Sequence, residues 1–259
     1  MAGAGPVPDT APVPNPDPRT LLREGVLDPD LAALLWLLLE GGTPLVVTGP
    51  ATTEVRSALA ASLLSLVPGR AWSVIDADDD PPSTERLAAL LRGGTGFAVV
   101  QSGESLREWM SRAAETGLPE DGVRRLGVVV VAEGTARGLR CLAVHYLRPS
   151  ERDGQGHVQR RPPAVLATWD ADSDAYEDFS WGITPELADR VDRAQADLEE
   201  RQRDRAGFLA SIGDGDGGYE MQAARYLEGE PPRQPAPAHE PARPSPFGRG
   251  LTDPDPHAH

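Results

Sequence analysis

The stretch Leu45-Val46-Val47-Thr48-Gly49-Pro50-Ala51-Thr52-Thr53-Glu54-Val55-Arg56-Ser57 decides the fold. Pro44 to Thr48 is a short, continuously apolar run without polar alternation, which predicts a strand buried on both faces. Gly49-Pro50 ends it, and Ala51-Thr52-Thr53 leads into a helix predicted from about Glu54 to Val67 and stopped by Pro68-Gly69. Strand, glycine turn and helix N-terminus is the layout in which backbone N–H groups cradle a phosphate. Just upstream, Asp28-Pro29 is a helix start and Gly41-Gly42 the matching stop. The helix between them, Leu31 to Leu39, is apolar nearly all round and is therefore predicted to be buried.

Downstream the alternation continues. Trp72 to Asp76, Phe97 to Val100 and Val128 to Val131 are predicted strands. Helices are expected from Ser83 or Thr84 to Leu91, from Glu104 to Glu115 and from Glu120 to Arg125. This pattern predicts an α/β class, three-layer domain with a mostly parallel sheet covered on both faces. After Gly134 the character changes: Leu139 to Leu147, Val165 to Trp169 and Tyr176 to Trp181 suggest antiparallel hairpins at the sheet's edge or a small β extension. Asp153-Gly154-Gln155-Gly156 is a turn among them. Thr184-Pro185-Glu186 then opens one long charged helix to Ile212, with a thin apolar stripe at Leu187, Val191, Leu198, Leu209 and Ile212 that implies one-sided packing.

Both ends are rich in proline. Pro6, Pro8, Pro12, Pro14, Pro16 and Pro18 favour an extended arm without a core. From Gly213 onward a Gly-rich segment leads to nine prolines between Pro231 and Pro256, with a short helix near Tyr219 to Leu227 as an interruption. The expected organisation is a Pro-rich arm (1–19), an α/β core (20–135), a β-hairpin extension (136–182), a charged helix (183–212) and a disordered Gly/Pro-rich tail (213–259).

The 259 residues carry a formal charge of −15. That surplus repels phosphate backbones and anionic lipid, and no run of Lys and Arg supplies a local basic patch. Nucleic acid is excluded as a partner on this ground. The longest apolar stretch is about half of a bilayer span, and the first twenty residues have no basic leader or apolar core, so neither membrane insertion nor secretion is expected. Cys141, the single cysteine, fits a reducing, cytoplasmic setting and a buried small hydrophobe.

From about residue 22 to residue 148 the sequence resembles the ATPases that drive type II and type IV secretion and pilus assembly. In the pilus-assembly branch a leucine-rich helix likewise precedes a strand ending in Thr-Gly-Pro, here Thr48-Gly49-Pro50. Trp72 to Asp76 with its acidic turn is similar to the family's aspartate box, and Phe97 to Ser105 to its histidine box. Gly122 to Arg148 is similar to the closing helix, strand and hairpin. The resemblance implies a RecA-like P-loop core, truncated in this chain.

The departures from the family pattern are chemical. In a working G-x-x-x-x-G-K-[S/T] loop, glycine lets backbone reach phosphate, Lys neutralises it and the hydroxyl holds Mg²⁺. Counting from Gly49, those positions are Glu54, Val55 and Arg56. A carboxylate about 4 Å from a phosphate charge costs on the order of 4 kcal/mol at an effective dielectric of 20. A one-residue slip puts Arg56-Ser57 where Lys-Ser belongs, but lengthens the loop and leaves Glu54 in place; arginine also lacks the compact ammonium of lysine. Asp76 and Gln101 are only 25 residues apart, which leaves no segment for the Walker B strand and catalytic carboxylate that the family places between the two boxes. Val100-Gln101-Ser102 stands where the family has a histidine.

The degenerate nucleotide loop is thus Gly49, Pro50, Thr52, Thr53, Glu54, Val55, Arg56 and Ser57, and the vestigial boxes are marked by Asp76 and Gln101. No catalytic residue and no metal site is assigned, and ATP with Mg²⁺ is disfavoured. Asp170, Asp172 and Asp174 have calcium-loop spacing, but Ala175 and Trp181 stand where glycine and glutamate belong, so an acidic hairpin turn is expected. Asp76, Asp78, Asp79 and Asp80 fit a solvated turn. His145 fits a packed or edge residue, and His157, His239, His257 and His259 lie in a turn or tail. Ser57 and Ser102 lack a Gly-x-Ser-x-Gly context. Trp169, Tyr176, Phe179 and Trp181 are expected to form a small core or, in the minority reading, a partner patch.

What the resemblance and its departures imply together is a catalytically degenerate member of the family that works by binding. Its partner would be an intact secretion or pilus ATPase or its membrane platform, met through the charged helix or the hairpin aromatics. An active P-loop ATPase with an aberrant loop and a scaffold working through its two tails are the alternatives.

Overall fold

The computed structural model describes residues 17–78, 87, 96–115, 119–152, 157–213 and 217–236. The arm before Asp17, Asp79 and Asp80, the predicted helix from Ser83 or Thr84 to Leu91 (apart from Leu87, which is buried and helical), the turn 153–156 and the tail after Ala236 with its three histidines lie outside the described residues.

The fold is α/β, with a seven-stranded mixed sheet and eight α-helices among the described residues. The strands are β1 (Leu45–Thr48), β2 (Ser73–Asp76), β3 (Phe97–Val100), β4 (Val128–Thr135), β5 (Gly138–Tyr146), β8 (Ala164–Asp170) and β9 (Ala175–Asp178), in spatial order β2-β3-β1-β4-β5-β8-β9. The short strands β6 (Glu151–Arg152) and β7 (Val158–Gln159) pair separately. Strands β2, β3, β1 and β4 are mutually parallel, whereas β5, β8 and β9 continue the sheet antiparallel. The hairpins are therefore an extension of the same sheet at its edge. The predicted strand to Trp181 stops at Asp178 and gives way to a 3₁₀ turn, Ser180–Ile183.

The helices are α1 (Pro18–Arg23), α2 (Pro29–Glu40), α3 (Thr53–Leu64), α4 (Leu106–Glu115), α5 (Glu120–Arg125), α6 (Thr184–Arg190), α7 (Gln195–Ser211) and α8 (Tyr219–Glu228). Asp28 caps α2 by accepting Leu31 N–H at 2.8 Å, and Pro29 occupies its first turn. Every residue from Leu31 to Leu39 is buried. One apolar core unites α2, α3, α6, α7 and α8 with the side chains of β1, β3, β4, β5 and β8 that point to that face; a second unites α4 and α5 with the other face. Among the described residues no helix is long and apolar enough to cross a membrane.

Two expectations are corrected. The single helix from Pro185 to Ile212 is two, α6 and α7, broken at Val191 to Ala194, where Asp192 takes a left-handed conformation (φ 52°). The break lets α7 turn back along α2. The folded chain also does not end at Ile212. Tyr219 and Ala223 of α8 are buried in the main core, and the Tyr219 hydroxyl donates to Leu66 C=O at 2.8 Å. Tyr219, Tyr226 and Phe208 surround Trp36 at ring distances of 6.1 Å, and Phe208 stacks on Tyr226 at 4.5 Å. Within the arm, Asp17 to Arg19 already form the capped start of α1.

Beside its buried Leu198, Ala206 and Leu209, α7 and the turn before it also bury a polar ladder. Arg193, Asp197, Arg201 and Arg205 follow one another at four-residue steps, one helical turn apart, and all are buried, Arg205 completely. Arg193 donates to Asp197 Oδ2 (2.7 Å) and Glu40 Oε2 (3.0 Å), and Arg205 to Glu40 and, through two nitrogens at 3.1 and 2.9 Å, to Glu230. The Arg205 guanidinium also lies over Trp36, 4.6 Å from the ring centroid. Glu230 thus pins the segment after α8 to the core.

Removing one partner of a buried pair strands the other charge, so Glu230→Gln is expected to lower unfolding free energy by about 3 kcal/mol in urea melts and to speed proteolysis after α7. Cys141 is fully buried on β5, and burial pushes its thiol up to about 12. Its contribution to stability is intact below the unfolded thiol pKa of about 8.5 and is lost as pH rises toward the folded value. A thiol reagent at about pH 8 is expected to label the protein only after denaturant is added.

Candidate functional site

The sequence-predicted loop lies where an open α/β sheet holds its ligands. From β1 the chain crosses by α3 on one face to β2, and after β3 it returns by α4 and α5 on the other face to β4. The connections reverse at β1, so the crevice outside its carboxyl end is the topological switch point. Gly49 at the end of β1, Asp76 at the end of β2 and Gln101 just after β3 meet at this rim. Strand β2 pairs directly with β3 from Ser73↔Phe97 to Asp76↔Val100, with no strand between them.

The crevice is closed from both sides. Gly49 forms an isolated bridge with Gly103, and Thr48 Oγ1 donates to Gly103 C=O at 3.2 Å. On the β4 side, Gly49 (φ 127°) comes so near that a Cβ there would lie 1.9 Å from Ala132 O. Only glycine has both the backbone angle and the room.

Arg56 fills what remains. It lies in the first turns of α3, is 4% exposed, and folds back under the loop. Its guanidinium donates to Gly49 C=O (3.3 Å), Ala51 C=O, Thr53 Oγ1 (2.9 Å) and Asp78 Oδ2 (2.9 Å). Asp78 in turn accepts from Ser102 N–H at 2.8 Å and from the Ser102 hydroxyl at 2.8 Å, and Arg112 donates to that hydroxyl at 2.9 Å. The polarity of the loop is therefore inverted. A phosphate cradle needs converging donors, whereas here carbonyls, a hydroxyl and a carboxylate converge on a cation built into the chain.

The helix N-terminus is occupied too. Thr52 caps α3, its hydroxyl accepting Val55 N–H at 3.5 Å. The Glu54 carboxylate accepts from its own backbone N–H and from Thr52, and these bonds hold it below the usual carboxylate range. An anion of the chain's own already sits where an external one would go.

Of the other residues singled out, Val55 and Pro50 are exposed and Ser57 is half-buried on α3, with no side-chain hydrogen bond from Ser57 among those described. Asp76 Oδ1 accepts Asp78 N–H at 3.0 Å and so shapes the turn. Gln101 is buried, and its N–H donates to Val47 C=O. Asp170 and Asp174 are consumed by the β8–β9 turn: Asp170 accepts from Asp172 and Ser173, and Asp174 from Trp169 Nε1 (3.0 Å) and Arg140. His145 is half-buried on β5, and burial pushes its imidazole down. Tyr176 is a core residue, its hydroxyl donating to Val26 C=O and accepting Cys141 N–H, but Phe179 and Trp181 stay exposed. The residue the sequence reading undervalued is Asp78, assigned to a solvated turn. Its position two residues beyond a strand end, opposite an arginine in the first turns of a helix, was the available signal.

No protein-family model and no curated protein matches this chain.

Arg56→Ala leaves Asp78 and two loop carbonyls without their cation, so it is expected to destabilise the fold by about 3 kcal/mol. Because Arg56 and Asp78 act as a pair, a double-mutant cycle with Asp78→Ala in urea melts is expected to give a coupling of about 1 to 3 kcal/mol.

Proposed function

We propose that this protein is a catalytically degenerate relative of the secretion and pilus-assembly ATPases that acts by binding, in the cytoplasm, as a regulatory component of such a machine. The observation that carries the proposal is Arg56, whose guanidinium fills the nucleotide crevice and is held there by Asp78 and the loop carbonyls. Two further features support it. The switch-point crevice has the placement that a nucleotide site of this kind requires, and the direct pairing of β2 with β3 fits a RecA-like core without the Walker B strand. The partner in this reading is an intact secretion or pilus ATPase, or its membrane platform.

The rival reading, an active ATPase with Arg56-Ser57 in the role of Lys-Ser, requires an arginine free to meet phosphate. Arg56 does point into the loop, but its two Nη groups are engaged by four acceptors, and releasing them uncovers the Asp78 carboxylate at the same place.

Calorimetry of the full chain with Mg·ATP and Mg·ADP is expected to give no heat at millimolar nucleotide. Micromolar binding, about −8 kcal/mol, returns the protein to the working ATPases. Light scattering of the chain mixed with a purified pilus-assembly ATPase from the same cell is expected to show a complex. A complex that disappears when residues 1–16 and 237–259 are removed assigns the binding to the tails and overturns a core-driven mechanism.

A further inference from the structure

The two surfaces expected to receive a partner fare differently. The inner face of α7 is spent on α2 and on the segment after α8. The sheet edge at β9 is not: it pairs with β8 on one side and, among the described residues, with no strand on the other. Phe179 N–H donates across the ladder to Leu166 C=O. By the alternation of an antiparallel pair, Tyr176 and Asp178 then turn their N–H and C=O groups outward. An edge of this kind is a template for an added strand.

The side chains around it specify charge. Beside Tyr176 a crease with room for about one water is lined by Asp28, Asp30, Asp178 and Gln202 together with apolar side chains of α2 and β8. Asp28 accepts Leu31 N–H and Asp178 accepts Ser180 N–H. Among the described residues no Lys, Arg or His pairs with any of the three carboxylates, nor with Asp172 or Glu177 nearby. Burial, together with the like charges of Asp30 and Asp178, holds the Asp28 carboxyl above its ordinary range. Exposed, unpaired carboxylates along a sheet edge suit a Lys or Arg side chain lying over the surface, its stem on apolar atoms and its head among the oxygens. Just past the edge, Trp181 is 76% exposed and Phe179 is 40% exposed. A second copy of this chain is a poor occupant, because edge-to-edge pairing sets Glu177 and Asp178 close to their own equivalents.

We propose that the β9 edge docks an extended, Lys- or Arg-bearing segment of a partner protein, which adds as a strand beside Ala175–Asp178, lays basic side chains against the exposed carboxylates along that edge, Asp30, Asp172, Glu177 and Asp178, and packs an apolar residue on Trp181. This inference does not rest on ATPase ancestry.

The probe is a fluorescein-labelled peptide of alternating Lys and Val, titrated with the full chain by fluorescence anisotropy at physiological salt. Binding is expected, and it is expected to vanish when the peptide is N-methylated along the one edge that faces β9 while surviving methylation of the other edge. The triple variant Asp30→Asn, Asp172→Asn, Glu177→Gln and the single variant Trp181→Ala are each expected to weaken binding about tenfold or more. None of these four side chains holds the fold, since each is exposed or accepts no hydrogen bond among those described. Removing three carboxylates from the outer face of α7, with Glu199→Gln, Glu200→Gln and Asp204→Asn, is expected to change little. Equal loss in the α7 variant, indifference to methylation on both edges, or no binding overturns the proposal. Concentration-dependent dimerisation of the chain that survives excess peptide overturns it as well, by assigning the edge to a second copy.

Discussion

Helix α2 must be enclosed on every side, and the rest of the molecule is arranged to do it. Nine consecutive residues, Leu31 to Leu39, have no face that tolerates water. Each large side chain among them contributes roughly 1.5 to 3 kcal/mol when buried. The sheet supplies one wall, α3 and α6 the flanks, and α7 with α8 the roof. Enclosure creates its own difficulty at Glu40, the last residue of α2, because an acidic side chain at a helix C-terminus opposes the helix dipole. Arg193 and Arg205 resolve it, and Asp197 and Glu230 balance those arginines in turn. The polar ladder on α7 follows from where the apolar helix ends.

The crevice at β1 works by the same logic of local satisfaction. The Gly49 and Ala51 carbonyls, the Thr53 hydroxyl and the Asp78 carboxylate there all accept from Arg56, which sits at the centre. An incoming anion would have to displace the buried ion pair of Arg56 and Asp78, which is costly. The crevice has the position of a ligand site but the interior chemistry of a structural joint.

Much of this was legible in the sequence. The apolar strand before Gly49, the proline-capped helix before it and the strand–helix alternation to Val131 follow from periodicity and caps, and the described strands and helices match them within a few residues. The altered charges at Glu54 and Arg56 were visible as well. What they do was not, because Arg56 meets Asp78 from 22 residues away and only the parallel register of β2 and β3 brings the turn to the loop. The C-terminal half was harder for a related reason. The stripe on α7 looked thin because arginine counts as polar in any apolar tally, and its burial depends on Glu40 and Glu230, far off in the chain. The Gly-rich segment before Tyr219 resembles a tail in composition, although the helix after it closes the core.

That closure gives the fold a direction in time. The Tyr219 hydroxyl reaches Leu66 across 153 residues of chain, and Trp36 is roofed by rings that a ribosome adds more than 170 residues after it. The β1–β4 half can pair as it emerges, but α2 stays partly uncovered until α8 arrives, and long-range contacts of this kind are the slow ones to form. During synthesis the leucine-rich surface of α2 is therefore the segment most in need of a chaperone's protection. The nascent chain becomes safe from aggregation only when α8 has docked.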